Sequence, residues 1–400
     1  MAIDDAERSA RPRCGRRYTA RAAQEDGILK VAILGTRGVP GNYGGFETFA
    51  EELSARLVER GHEVTVYCRT GNSPDSPARH RGARLVHLPA VRLKAAETLS
   101  HTLLSALHAA FRSYDIVYVC NSANAPLCYI PHWRGQQTIL NVDGLEWRRE
   151  KWGDTAKRYY RWAARLASTM PIAVITDAKV IQRYYRERFG RETECFPYGT
   201  ELYPRGHLAE RLAALGLEPN RYILYVSRLE RENNALMVVR AYRSVRTDLP
   251  LVIVGDAPYA RDYVNEVKAA ADPRVVFLGY RFGDDYHALQ ANAQLYIQAT
   301  EVGGTHPALV EAMGHRNAVL AHDVPEHHEV LGDAGRYFGH RDIADLALRI
   351  QQLVDDGDAV EDLRRRAGER VAALYSWDAV TAAYESYFNR LLADRRQPTS

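Results

Sequence analysis

From Lys30 onward the chain alternates short apolar runs with longer stretches of helical period. Lys30–Leu34, Glu63–Arg69, Asp115–Asn121, Gln137–Asp143 and Pro171–Thr176 have the length and composition of strands buried on both faces of a parallel sheet. The pattern restarts at Arg221–Ser227 and continues through Leu249–Gly255, Arg274–Gly279, Gln294–Ala299 and Asn317–His322. Two such series predict two doubly wound α/β domains that face each other, joined near Gly199–Pro219, where glycine and proline collect. A last helix around Trp377–Leu392 carries Trp377, Val380, Tyr384, Tyr387 and Phe388 on one face. It either caps the second domain or crosses back onto the first. The expected divisions are a basic tail at 1–27, an N-terminal domain at 28–200, a C-terminal domain at 201–375, and the last helix with its tail at 376–400.

Composition narrows the class. Four hundred residues, 46% hydrophobic and 26% charged, suit a folded chain of more than one domain. No stretch reaches the ~20 apolar residues that span a bilayer. The N-terminus lacks an apolar segment, so no secretory signal is expected. Five scattered cysteines, Cys14, Cys68, Cys120, Cys128 and Cys195, have no CxxC spacing, which disfavours a disulfide framework or zinc site and points to a reducing cytosol. A net charge of +3 does not imply nucleic acid. The arginines of the tail, Arg8 to Arg21, form a charge run expected to be disordered, with contact to an anionic surface as the sharper alternative.

Four segments could carry chemistry. GTRGVPGNYGGFETFAEEL places Gly35, Gly38, Gly41, Gly44 and Gly45 between the first strand and a helix. Glycine lets backbone amides approach a phosphate, and a helix N-terminus carries partial positive charge. The register is not G-x-G-x-x-G, so dinucleotide binding is weakly supported. EVGGTHPALVEAMG follows a strand, with Pro307 fit for the first helical position. There the amides of Gly304, Thr305 and His306 are expected to face an anion, and Glu311 can accept hydrogen bonds from a ribose diol. SRLERENN puts Arg228 at a strand end, where a guanidinium suits a diphosphate. NVDGLEWRREKW ends a strand on Asp143, a candidate polar contact to a sugar. Each has a bland alternative: a flexible loop, a helix cap, a surface ion pair and a turn aspartate.

Taken together, these segments resemble a retaining glycosyltransferase of family 4 with the GT-B fold, two Rossmann-like domains around a cleft, closest to the bacterial rhamnosyltransferase branch. The resemblance runs from about Lys30 to Leu392. It implies a nucleoside-diphosphate sugar donor, most of all dTDP-rhamnose, held by the C-terminal domain. Asp143, Arg228 and Glu311 match catalytic positions. Arg228 takes the diphosphate and Glu311 the ribose, and Asp143 replaces a histidine beside the donor sugar. Gly303, Gly304, Thr305 and His306 fall at the donor phosphates and sugar. Tyr280 and Arg281 fall at the nucleobase, and Gly44 and Gly45 at the loop near diphosphate and acceptor. Two departures stand out. The first of the family's two spaced glutamates is here Gly303, with Glu301 out of register, and the usual lysine after the arginine is Asn233. Arg37 or Arg231 is the expected substitute for that charge.

The resemblance further implies net retention, no metal ion and no cofactor. The GDD at Gly283–Asp285 is expected in a loop, away from a metal role. The acceptor is expected to be a saccharide, plausibly lipid-linked. Lys157, Arg158, Arg161 and Arg165 interleave with Tyr159, Tyr160 and Trp162, which suits a helix at an anionic membrane surface or, equally, a buried amphipathic helix. The expected location is the cytoplasm, peripheral at the inner face of the plasma membrane. Rival readings are another nucleotide-sugar donor, an inactive nucleotide-sugar-binding protein, an epimerase and, least favoured, a dehydrogenase.

Overall fold

The computed structural model describes residues 27–41, 44–73, 75–91, 96–142, 144–149 and 152–396; the basic tail and Asp143 lie outside the described residues. The first sheet contains β1 (Lys30–Leu34), β2 (Glu63–Arg69), β3 (Arg79–His80), β4 (Ala83–Leu88), β5 (Ile116–Cys120), β6 (Gln137–Val142), β7 (Ala173–Thr176) and β8 (Glu194–Cys195). Their spatial order is β3-β4-β2-β1-β5-β6-β7-β8, parallel throughout except for β3 against β4. The second sheet contains β9 (Ile223–Val226), β10 (Leu251–Val254), β11 (Val275–Gly279), β12 (Leu295–Gln298), β13 (Val319–His322) and β14 (Gly335–Phe338), in the order β11-β10-β9-β12-β13-β14 and all parallel. Central strands such as β1, β5 and β10 are buried on both faces, which is why they read as unbroken apolar runs.

Each sheet reverses its winding once, between β1 and β5 in the first and between β9 and β12 in the second. Open α/β sheets bind ligands outside the carboxyl ends of strands at such a reversal. The glycine-rich turn follows β1, Arg228 follows β9, and Gly303–Thr305 follow β12. Two findings differ from the pattern-based reading. Strands β3, β4, β8 and β14 were not expected; they are short or lie toward a sheet edge, and β4 mixes exposed Arg84 with buried neighbours. Gly283–Asp285 is the first turn of helix Gly283–Asn292, not a loop, and Asp285 pairs with Arg211 at 2.7 Å.

Of the two placements expected for the last helix, Trp377–Arg396, the structure shows the crossing back: it lies on the first sheet. Trp377, Val380, Tyr384, Tyr387 and Phe388 join the core built by Phe49, Tyr118 and Phe196. The Tyr384 and Tyr118 hydroxyls bond at 3.1 Å, and Asn141 Nδ2 donates to Tyr118 at 2.7 Å, so the buried phenols are satisfied. The chain thus crosses between domains twice, and the crossings run side by side: Thr200 N donates to the Tyr375 carbonyl at 2.7 Å. At Gly199 a β-carbon would sit 2.5 Å from the Trp377 ring, which explains the glycine. Phe388 is fully buried, so Phe388→Ala should lower stability by about 3–5 kcal/mol, measured by denaturant unfolding.

Candidate active site

On the N-terminal side, the turn after β1 leads into helix Gly45–Glu59. Gly35 and Gly38 hold φ of +93° and +115°, and β-carbons there would meet the Cys120 carbonyl and the Cys68 side chain. Two amides of this turn are taken by carboxylates of the helix it feeds. Arg37 N donates to Glu47 at 3.0 Å, and Gly41 N donates to Glu51 at 2.7 Å. Burial pushes the Glu47 carboxyl up, opposed by the Arg37 amide. The turn is therefore a braced structure, and its expected free amides are in part already satisfied. Gly44 caps the helix in extended conformation, and its carbonyl accepts from Glu47 N and Thr48 N. A β-carbon on Gly45 would sit 2.7 Å from Pro307 Cγ. Pro307 opens helix Pro307–Gly314 of the C-terminal domain, so two helix N-termini meet here. Their partial positive charges add in one place.

On the C-terminal side, the loops after β9, β10, β11 and β12 lean on one another. A β-carbon on Gly255 would overlap the Ser227 carbonyl, Tyr280 donates to the Asp256 carbonyl at 2.8 Å, and Glu301 N donates to the Glu232 carbonyl at 2.9 Å. The Arg228 carbonyl accepts from Ser227 Oγ, Glu230 N and Asn233 Nδ2, each at 2.7 Å. Asn233 is buried, and its amide holds the Arg228 loop rather than standing in for a lysine charge. The Arg228 guanidinium is about a third exposed and lies 3.6 Å from Glu230, whose other oxygen accepts from Tyr259 at 2.7 Å. Arg231 lies over the Tyr263 ring and 3.4 Å from Glu266, and Arg37 lies 3.9 Å from Glu97; each guanidinium thus has a carboxylate beside it. Tyr280 stacks on Phe282 at 6.0 Å, and Arg281 donates to the Tyr280 carbonyl at 3.0 Å.

Glu311 sits one turn into its helix and accepts from Tyr286 Oη, which itself accepts from Gln290 at 3.0 Å. Burial pushes the Glu311 carboxyl up to about 7; the Tyr286 bond opposes this, and the charge of Glu52 from the facing domain adds to it. A carboxyl so poised can change protonation near neutral pH.

Between the domains the backbones touch. A β-carbon on Gly144 would lie 2.8 Å from the Gly303 carbonyl carbon, and one on Gly304 would lie 2.2 Å from Asp177 Oδ1. Thr305 N donates to Asp177 Oδ2 at 2.9 Å, and Thr305 Oγ1 donates to the Asp177 carbonyl. The anion that meets the Thr305 amide is thus a carboxylate of the other domain. A second cross-domain cap lies nearby: Glu329 accepts from Lys179 N at 2.6 Å and Val180 N at 3.1 Å, at the start of a helix whose own Ala178 offers no cap. At Gly303 a β-carbon would lie 2.4 Å from His306 Cε1. The imidazole fills the space that a side chain at 303 would enter, and burial pulls its pKa well below the usual value.

Sequence reasoning missed Asp177, Glu329, Tyr286 and the His306 ring. Asp177 had a usable signal, since it stands at the carboxyl end of a predicted strand much as Asp143 does. Glu329 had none, because its partner lies 150 residues away. Among the described residues, Glu301, His322 and His340 have the chemistry of metal ligands. Arg341 grips both Glu301 oxygens at 3.0 Å, and the two imidazoles bond each other at 3.0 Å, so those donors are already engaged.

Comparison with known proteins divides at the same boundary. Residues 28–201 match a family described as a domain of unknown function, DUF1972, and residues 220–356 match one described as Glycosyl transferases group 1. O-antigen chain mannosyltransferase B of Escherichia coli is 25% identical over 166 residues, covering 40% of this chain and 43% of that protein. The N-acetylgalactosamine-N,N'-diacetylbacillosaminyl-diphospho-undecaprenol 4-alpha-N-acetylgalactosaminyltransferase of Campylobacter jejuni is 28% identical over 105 residues, covering 26% of this chain and 28% of that one. The matches thus span less than half the length of these curated relatives. Among solved structures, sucrose-phosphate synthase from Thermosynechococcus elongatus superimposes with a TM-score of 0.76 at 20% identity over 92% of this chain and 100% of its own. Anabaena HepE in complex with UDP and glucose superimposes with a TM-score of 0.74 at 16% identity, over 90% of this chain and 100% of its own. The fold is GT-B, and residues 220–356 are similar to the family described as Glycosyl transferases group 1.

Proposed function

We propose that this chain is a retaining glycosyltransferase that moves a sugar from a nucleoside-diphosphate donor onto a saccharide acceptor in bacterial cell-surface polysaccharide synthesis. The observation that carries the reading is the meeting of two helix N-termini, Gly45 against Pro307, with Glu311 one turn into the second helix and Arg228 after the end of β9. Charge grows on the leaving diphosphate as the glycosidic bond breaks. Fixed positive dipoles and a guanidinium stabilise that charge without reorganising. Glu311 accepts from the ribose diol, Tyr280 and Arg281 meet the base, and Gly304 with the His306 amide lies against the phosphates. The acceptor hydroxyl bonds to the anomeric carbon on the face the diphosphate leaves, and its proton passes to a leaving phosphate oxygen. No protein nucleophile is needed, and no metal ion is assigned.

The resemblance in the first βα turn and in the DGLEWRREKW segment favours L-rhamnose from dTDP-rhamnose as donor. A UDP- or GDP-hexose is the second reading, favoured by the mannosyl- and N-acetylgalactosaminyltransferase relatives and by the fold shared with HepE. The Campylobacter relative's diphospho-undecaprenol substrate supports a lipid-linked acceptor and work at the inner face of the plasma membrane.

Donor binding, its dependence on Glu311 and pH, and turnover without metal test this reading. In a donor panel, one nucleotide sugar should raise the melting temperature, by the equivalent of about 2.7 kcal/mol at a hundred times its Kd, and should release nucleoside diphosphate with a suitable acceptor. If no donor does either, the enzyme assignment is wrong. Glu311→Ala should weaken donor binding by roughly 1–3 kcal/mol in calorimetry. Donor affinity should fall as pH drops through about 7, where Glu311 gains its proton, and should become flat in Glu311→Gln. The sign for stability is opposite. A carboxyl raised from 4.5 to about 7 in the folded chain favours folding at low pH and loses that contribution as pH rises through 7, so the Gln variant should gain relative stability above 7. Turnover should be unchanged by a chelator; strict dependence on added magnesium or manganese would contradict the metal-free account.

A further inference from the structure

Helix Glu97–Ala110 buries His101, Thr102, Ser105 and Ala106 and leaves a leucine stripe outside. Leu103, Leu104 and Leu107 are each about two-fifths exposed, and Phe111, just past the helix, is 77% exposed. The apolar surface continues on both sides. Trp133, 78% exposed, ends the short helix Tyr129–Trp133 that packs beside the leucine helix. On the other side an open hollow of about 380 Å³ is lined by Leu99, Leu103, Pro126, Leu127 and Tyr159, with almost no polar surface. Trp162, half exposed, contacts Tyr159 at 5.6 Å and extends the rim. Phe111, Trp133, the three leucines, the hollow and Trp162 thus place exposed apolar side chains on neighbouring elements, the kind of surface that marks a contact site.

Charge identifies what covers it. Arg112, Arg134, Arg158, Arg161 and Arg165 are exposed around this surface, and Arg134 lies over the Phe111 ring at 5.9 Å. The nearby Glu97 is drawn inward to Arg69 at 3.0 Å, while Asp154 stays exposed at a helix start. A helix lying in a headgroup layer has this layout: aliphatic residues downward, tryptophans at the boundary and arginines reaching lipid phosphate. One wall of the hollow is tied to the sheet. The Ser122–Cys128 turn that forms one wall begins just after β5, at the carboxyl ends of the strands, and Tyr159 Oη donates to the Ala123 carbonyl at 2.8 Å.

We propose that this face, centred on helix Glu97–Ala110 and the adjoining hollow, docks on an anionic lipid bilayer, with hydrocarbon entering the hollow. It deepens the reading above, because a bilayer on this face would present a lipid-linked acceptor to the cleft. Within the described residues the sequence pattern had pointed to helix Asp154–Thr169, which contributes Trp162 and three of the surrounding arginines. The leucine stripe supplies the larger apolar part.

The test is flotation with vesicles of phosphatidylcholine, alone or with about a third phosphatidylglycerol. The full chain should float with the anionic vesicles, less so with the neutral ones, and binding should weaken as salt rises. The combined substitution Leu104→Gln, Leu107→Gln and Phe111→Gln should reduce binding roughly tenfold or more, with thermal midpoint and circular dichroism unchanged, since all three side chains are exposed. Arg158→Gln with Arg161→Gln and Arg165→Gln should remove the preference for anionic lipid. The proposal is overturned if the wild type ignores anionic vesicles at low salt or if the leucine variant binds them equally well. It is also overturned if that variant converts a dimer to monomer in sedimentation velocity without changing vesicle binding, which would make the face a contact between two copies. Nucleoside diphosphate release with a water-soluble acceptor, assayed without vesicles, reports separately on the enzyme reading. Loss of that activity with vesicle binding intact would sink the enzyme reading alone.

Discussion

Opposed carboxyl ends of two parallel sheets come together here closely enough to exclude β-carbons at Gly45, Gly144 and Gly304. That backbone contact brings two helix N-termini to one point, and peptide dipoles then act on the same small volume. Asp177 and Glu329 secure the seam by taking amides of the facing domain. Both are charge-assisted bonds to backbone donors that would otherwise be left without a partner. The returning helix Trp377–Arg396 fastens the same pair of domains from behind by burying aromatic surface in the first core.

This arrangement separates two kinds of residue at the seam. Asp177, Glu47, Glu51 and Asn233 spend their polar atoms on backbone groups and so set the shape of the loops. Arg228 and Glu311 instead pair with side chains, those of Glu230 and Tyr286. Arg228 is partly exposed, and one Glu311 oxygen accepts from Tyr286. The burial that raises the Glu311 carboxyl marks a group held at some cost to stability, a common mark of function. Gly303 and His306 form a compensating pair, since the imidazole fills the volume the glycine leaves.

Much of this was legible beforehand, for reasons that differ from element to element. The central strands could be read because double burial demands unbroken apolar runs, as in Val31–Leu34 and Leu251–Val254. Strands near the edges could not: Ala83–Leu88 and Gly335–Phe338 interleave arginine with apolar residues and look like loops. The glycine-rich turns were visible as composition, yet their use was not. Gly38 leaves room for Cys68, and Gly304 leaves room for Asp177; neither partner is near in sequence. Amides expected to await a phosphate were found bound to Glu47, Glu51 and Asp177, because a carboxylate from elsewhere in the fold answers the same field.

The sequence by itself determined two β/α series, their parallel sheets and the turns that carry glycine, and it nominated candidate groups for a diphosphate sugar. Those follow from local rules: period, strand burial and the conformational freedom of glycine. The tertiary structure decided which carboxylate caps which amide, that an imidazole replaces a missing side chain at 303, that the last helix returns to the first domain, and that the leucine stripe of helix Glu97–Ala110 stays uncovered. Each of these depends on a contact, or the lack of one, between segments far apart along the chain, and no local pattern encodes which distant surface arrives.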